Sequence, residues 1–193
     1  MTKPTSRPAW VEAARAGWYW RGAERPPFAV EPQAGEESVW DYPRPPVVVR
    51  DTRHVVVRLT DSKKGDVVVA DTRGAWRLLE TSHPPTWYLP RADVDPGCIV
   101  EVGRGSFCEW KGSATYYDVV GSGQRLARAA WSYPDVIDDT YRDMAGAIAL
   151  YATTLACFVD GEQVRPQPGG FYGGWITNEI VGPWKGEPGT GGW

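Results

Sequence analysis

The chain has 193 residues, 42% hydrophobic and 23% charged, with a formal net charge of −3. That is the profile of one folded domain rather than two. The slightly acidic balance lacks the basic footprint a phosphate-binding surface needs, which argues against nucleic acid, and no apolar run approaches the roughly 18 residues of a membrane span.

Residues 1–45 stand apart. They carry Pro8, Pro26, Pro27, Pro32, Pro43 and Pro45 together with Trp10, Trp18, Trp20 and Trp40. Pro8 to Ala16 reads as one short helix, and the rest as an irregular arm. Free disordered arms seldom hold so much Trp, so this one is expected to wrap the domain. Met1 to Trp10 lacks the apolar stretch of a secretory signal. Cys98, Cys108 and Cys157 are an odd set without framework spacing. Both features suggest a reducing cytoplasm.

From Val47 the pattern becomes β-rich. Val47–Val49, His54–Leu59 and Val67–Ala70 read as strands with turns between them. Arg73–Glu80 has helical spacing, with Trp76 and Leu78 or Leu79 on one face. Pro84 and Pro85 stop it. Thr86–Leu89, Cys98–Val102, Ala114–Val120 and Arg125–Ser132 are further strands, and Gly121-Ser122-Gly123 marks a hairpin between the last two. Tyr141–Tyr151 reads as a helix presenting Met144, Ile148 and Tyr151. Leu155–Val159 returns to strand and turns at Asp160-Gly161 into Glu162–Val164. Residues 46–182 are thus expected to form one mainly β domain with one or two short helices, followed by a Gly/Trp-rich tail, 183–193. Trp110-Lys111-Gly112 recurs in that tail as Trp184-Lys185-Gly186.

Four stretches could carry chemistry. His83, one of two histidines, sits at a stiff Pro-Pro turn, where it would serve as a proton donor or acceptor or simply satisfy a backbone group. In Cys108-Glu109-Trp110-Lys111-Gly112, Lys111 is a cation placed to meet an anionic group. Cys108 is either a low-pKa thiol paired with His83 or a small buried hydrophobe. Trp131-Ser132-Tyr133-Pro134-Asp135 puts two rings on one face of a strand, the usual wall of a small-ligand pocket. Asp135, Asp138 and Asp139 form an acidic cluster, either a cation site or a solvated turn. In Gly169-Gly170-Phe171-Tyr172-Gly173-Gly174, glycine pairs allow the backbone to approach a neighbour closely. With no Cys-x2-Cys pair and two histidines, no structural zinc and no resident cofactor is expected.

Ala70-Asp71-Thr72, the run Glu80–Pro90, Trp110-Lys111-Gly112, Ala130–Pro134 and Val159-Asp160-Gly161 occur in an order that resembles family 427 of domains of unknown function, from about Val47 to Gly182. The resemblance implies a β-tent, two small antiparallel sheets packed at a steep angle, as in methionine-sulfoxide reductase B and the drug-binding domain of cereblon but without their metal. Glu109 stands where the family usually has proline. The family also carries a nucleotidyltransferase label. That chemistry uses Gly-Ser followed by Asp-x-Asp/Glu on magnesium. Here Gly105-Ser106 precedes only Asp118, and Asp93-Val94-Asp95 has no Gly-Ser suitably before it.

The leading expectation is therefore a pocket formed by His83, Trp87, Tyr88, Cys108, Trp110, Lys111, Trp131, Tyr133 and Asp135, binding an unidentified small molecule in a monomer or homodimer. Its rivals are the transferase, resting on Asp135, Asp138 or Asp139, and an interaction module in which arm and tail dock a partner.

Overall fold

The computed structural model describes residues 7–193. They are mainly β with minor helix, as the sequence indicates. The arm opens with α1 (Trp10–Ala16) and contributes the short strand β1 (Glu37–Ser38). Fourteen more strands follow in chain order: β2 (Val47–Asp51), β3 (Val55–Leu59), β4 (Val67–Thr72), β5 (Ala75–Leu79), β6 (Thr86–Tyr88), β7 (Ile99–Cys108), β8 (Gly112–Gly121), β9 (Gln124–Ser132), β10 (Ile148–Leu150), β11 (Ala156–Val159), β12 (Glu162–Gln163), β13 (Arg165–Pro166), β14 (Trp175–Ile176) and β15 (Ile180–Val181). No helix among the described residues is long and apolar enough to cross a membrane.

Two four-stranded antiparallel sheets, β10-β9-β8-β7 and β12-β11-β3-β4, share the main core. Val55, Val57 and Leu59 of β3 and Cys157 and Val159 of β11 meet Tyr117, Val119, Ala129 and Ala130 of β8 and β9 there. The alternation of buried and exposed residues along β3 is the period of a strand covered on one face. A three-stranded sheet, β2-β5-β6, is joined to the first through a Leu89–Ile148 bridge with both hydrogen bonds at 2.8 Å. Both hairpin signals hold. Ser122 and Gly123 turn β8 into β9, and Asp160 and Gly161 turn β11 into β12, each pair at the positive φ that a two-residue turn between twisted strands requires.

Two helix expectations are overturned. Arg73–Glu80 holds a strand, β5, paired with β2 on one side and β6 on the other. Trp76 and Leu78 do share a face, by the two-residue period of a strand, and both pack in the second core cluster. Seven or eight residues are too few for helical propensity to outweigh a ladder on each edge. Tyr141–Tyr151 is not one helix either. A 3-10 helix covers Asp139–Met144, Gly146 turns the chain at φ 76°, and Ile148–Leu150 pairs with β9 as β10.

The arm wraps the domain. β1 lies parallel to β15, and Val39, Trp40, Tyr42 and Ile180 form a third core cluster with Trp184 and Trp193 against it. Trp40 donates its indole N–H to the Pro183 carbonyl at 3.0 Å.

Candidate functional site

The second aromatic cluster surrounds a cavity of about 220 Å³. Its floor comes from β5 and β6 (Leu78, Tyr88), one wall from the β7–β8 turn (Cys108, Trp110, Lys111), and another from the end of β9 (Trp131, Tyr133). Its roof comes from the arm (Trp18) and from the C-terminal segment (Gln167, Tyr172, Gly173, Lys185).

The turn Glu80-Thr81-Ser82-His83 brings a carboxylate and an imidazole to the rim. His83 N–H closes on the Glu80 carbonyl at 3.0 Å, and Ser82 takes φ 70°, a left-handed conformation that non-glycine residues keep only when their surroundings enforce it. Both ends of the chain enforce it. Ser82 N–H donates to the Val39 carbonyl, Lys185 N–H donates to the Ser82 carbonyl, Thr81 Oγ1 donates to the Tyr42 carbonyl, and Arg44 donates to the Thr81 carbonyl at 2.7 Å.

His83 is oriented by Gln167. The Gly174 N–H donates to Gln167 Oε1, and Gln167 Nε2 donates to the Lys185 carbonyl at 2.7 Å and to His83 Nδ1 at 3.0 Å. The two backbone partners fix which end of the amide is which, so His83 Nδ1 is an acceptor and the proton of the neutral ring sits on Nε2. Burial, together with Arg44, Lys185 and Lys111, pushes the His83 pKa down to about 4 against the pull of Glu80. The neutral ring then offers Nε2–H as a hydrogen-bond donor.

Lys111 is 5% exposed, and its Nζ has no hydrogen-bond or ion-pair partner among the described residues; it lies 5.4 Å from the centre of the Tyr133 ring. Burial opposes its charge, but Cys108, Tyr88, Tyr133 and Glu80 outweigh that and hold the pKa well above the ordinary lysine value. Burial also lifts Tyr88 to about 12 and raises Tyr133 well above the usual phenol range, so both are neutral hydroxyls. The Cys108 thiol is raised by burial, by Glu80 and by the adjacent Glu109, against Lys111. It is a protonated thiol whose side-chain partner is the Glu109 carboxylate at 3.8 Å. Glu80 loses solvation, yet Lys111, Arg44 and Lys185, with His83 once protonated, keep its pKa below the usual range.

Of the nine residues read from the sequence, His83, Tyr88, Cys108, Trp110, Lys111, Trp131 and Tyr133 line this one cavity. Trp87 and Asp135 do not. Trp87 neighbours Tyr88 on β6, so it faces the opposite side, where it stacks on Trp175 at 6.0 Å beneath Arg53. Asp135 is exposed and pairs with Arg104 at 3.2 Å. Trp18, Glu80, Gln167, Tyr172 and Lys185 also line the cavity. The signal for Lys185 was the repeated Trp-Lys-Gly, whose two lysines line the same space.

The family model for the domain of unknown function DUF427, named NTP_transf_9, matches residues 47–164. The chain belongs to this family. No curated protein matches the chain. The DUF427 segment supplies floor and walls, while Trp18, Gln167, Tyr172 and Lys185 lie outside it. The residues do not fit the magnesium site that the family's transferase label implies. Among the described residues no three His, Cys, Asp or Glu side chains converge on a metal position. Asp118 is held by Arg125 and the Arg128 N–H, Asp93 accepts from Thr72, Asp95 caps Gly97, Asp138 caps Thr140 and Asp139 pairs with Arg142. Ser106 is bonded to Tyr116.

Proposed function

We propose that the aromatic cavity binds a small planar metabolite, with Lys111 meeting an anionic or carbonyl group and His83 donating a hydrogen bond from Nε2. The observation that carries this reading is the buried, partnerless Lys111 ammonium facing aromatic walls. An ammonium whose donors are unused inside a cavity is a ready partner for a ligand oxygen, by a charge-assisted hydrogen bond. Aromatic faces with few polar groups are the usual makeup of small-molecule sites. Size argues against a nucleotide. A cavity of about 220 Å³ takes roughly fifteen non-hydrogen atoms, about half of a nucleoside triphosphate.

Arm and tail belong to the site in this reading, as the roof that excludes water. The cysteines, all without disulfides, agree with a cytoplasmic protein. A thermal-shift screen of a metabolite panel, with and without magnesium, tests the proposal. A metal-independent shift lost in Trp131→Ala supports it. A shift that requires magnesium and a nucleotide sinks it.

A further inference from the structure

We infer that the ligand is a small aromatic monocarboxylate whose carboxylate sits at Lys111. This rests on the pocket reading above and narrows it to one chemical class.

Charge comes first. The cavity is lined by Lys111, Lys185, Glu80 and Glu109. Three of these are engaged within the protein. Lys185 Nζ donates to the Gly191 and Trp193 carbonyls, both at 2.9 Å. Glu109 accepts from Trp18 Nε1 at 3.1 Å, and Glu80 lies 3.3 Å from Arg44 Nε. The ammonium whose donors are left unused is that of Lys111. A single such ammonium suits a ligand with one carboxylate, and Glu80 and Glu109 on the same lining disfavour a second negative charge. No arginine is among the described residues lining the cavity, and the nearby Arg44 is engaged by Glu80 and by the Thr81 and Trp20 carbonyls.

The donors that accompany Lys111 suit a carboxylate. Tyr133 is 7% exposed, and its hydroxyl has no partner among the described residues. His83 presents Nε2–H because Gln167 holds Nδ1. One ammonium and two neutral donors complete the two oxygens of a carboxylate, each charge-assisted bond being stronger than a neutral one.

The walls select the remainder of the molecule. Trp131 lies 4.4 Å from Tyr151 and 6.4 Å from Tyr88, and Tyr172 packs edge-on against His83 at 4.7 Å. Rings at such angles offer edges and faces to a flat ring, which gains by offset stacking. The volume, enough for roughly fifteen non-hydrogen atoms, accommodates a one-ring or indole acid.

The test uses the full chain and titration calorimetry. The probes are benzoate, cinnamate and indole-3-carboxylate, each beside its neutral amide, with benzylamine and phenyl phosphate as charge controls. The expected result is an acid bound at least tenfold more tightly than its amide. Lys111→Met should abolish the acid's advantage over its amide, and Tyr133→Phe should weaken the acid several-fold. Lys111→Arg keeps the charge if the methionine variant folds poorly, and it should retain a preference for the acid. If the amide or benzylamine binds as well as the acid, or phenyl phosphate binds better, the carboxylate assignment is wrong while the pocket stands. If no probe binds and the metabolite panel gives no shift, the pocket reading itself falls.

Discussion

Gln167 and His83, 84 positions apart, share a 3.0 Å hydrogen bond that fixes both the tautomer and the direction of the imidazole. The wild-type ring should show the Nε2–H tautomer by nitrogen NMR and stay neutral down to about pH 4. The effect on stability follows from linkage. The folded pKa lies below the unfolded value of about 6.5, so as pH falls from 6.5 to 4 the unfolded chain takes up the proton first and stability declines. The loss is at most about 3 kcal/mol at about 1.4 kcal/mol per pH unit. His83→Gln should flatten urea-denaturation stability across that window. An unchanged slope would show that another group causes it.

Gly173 lies against the face of Trp131. A Cβ there would stand 2.0 Å from Trp131 Cη2. Gly173→Ala must move the indole or the loop, at a cost of about 1–3 kcal/mol. Thermal unfolding should show the drop, and Trp fluorescence should shift with it. A variant as stable as wild type, with the same spectrum, would mean that the loop yields without moving the wall.

Arg77 ties the arm to the domain. Its guanidinium, 8% exposed, donates to both Glu37 oxygens at 3.1 and 2.6 Å, and Tyr42 donates to Glu37 as well. Glu37→Ala leaves a buried cation with Asp51 at 3.8 Å and the Tyr42 hydroxyl at 3.3 Å. Because Glu37 is itself partly exposed, the expected cost is about 1–3 kcal/mol, less than for a fully buried pair. Chemical denaturation measures it. Faster proteolysis at residues 21–36 should accompany the loss.

The two tail-and-turn lysines should respond to different degrees. Lys111→Met removes a cation that makes no hydrogen bond or ion pair among the described residues but is favoured by the Tyr133 ring and by Glu80, so the ligand-free variant should stay within about 1 kcal/mol of wild-type stability. Lys185→Met removes two bonds to main-chain carbonyls and a cation 4.0 Å from the Trp18 ring, and should destabilise by about 1–3 kcal/mol. Melting curves of the two variants decide. A strongly destabilised Lys111→Met would recast Lys111 as a structural residue.

Local chemistry in the sequence revealed a good deal of this. The Ser122-Gly123 and Asp160-Gly161 turns were readable because their φ demands are met by particular residues. Trp131 and Tyr133 were placed on one wall by strand periodicity. The Arg73–Glu80 stretch misled because its strand identity comes from partners 24 to 32 residues upstream, on β2, and from β6. Trp87 was misassigned because a three-residue strand gives too little pattern to tell its two faces apart. Gln167 and Trp18 were invisible, since nothing local to either predicts partners 84 and 91 positions away. The glycine pairs did announce close approach, yet what they approach, Trp131 and Pro84, is a tertiary fact.

The hydrogen bond from Trp40 to Pro183 spans 143 positions. Closing a loop that long has an entropic cost that no local contact offsets, so such a tie forms late in folding and opens early. The sheets of residues 47–164 can remain intact while the arm and tail swing apart and Ser82 relaxes from its left-handed turn. The Ser82 and Lys185 amides should then exchange with solvent ahead of those in the middle of β8.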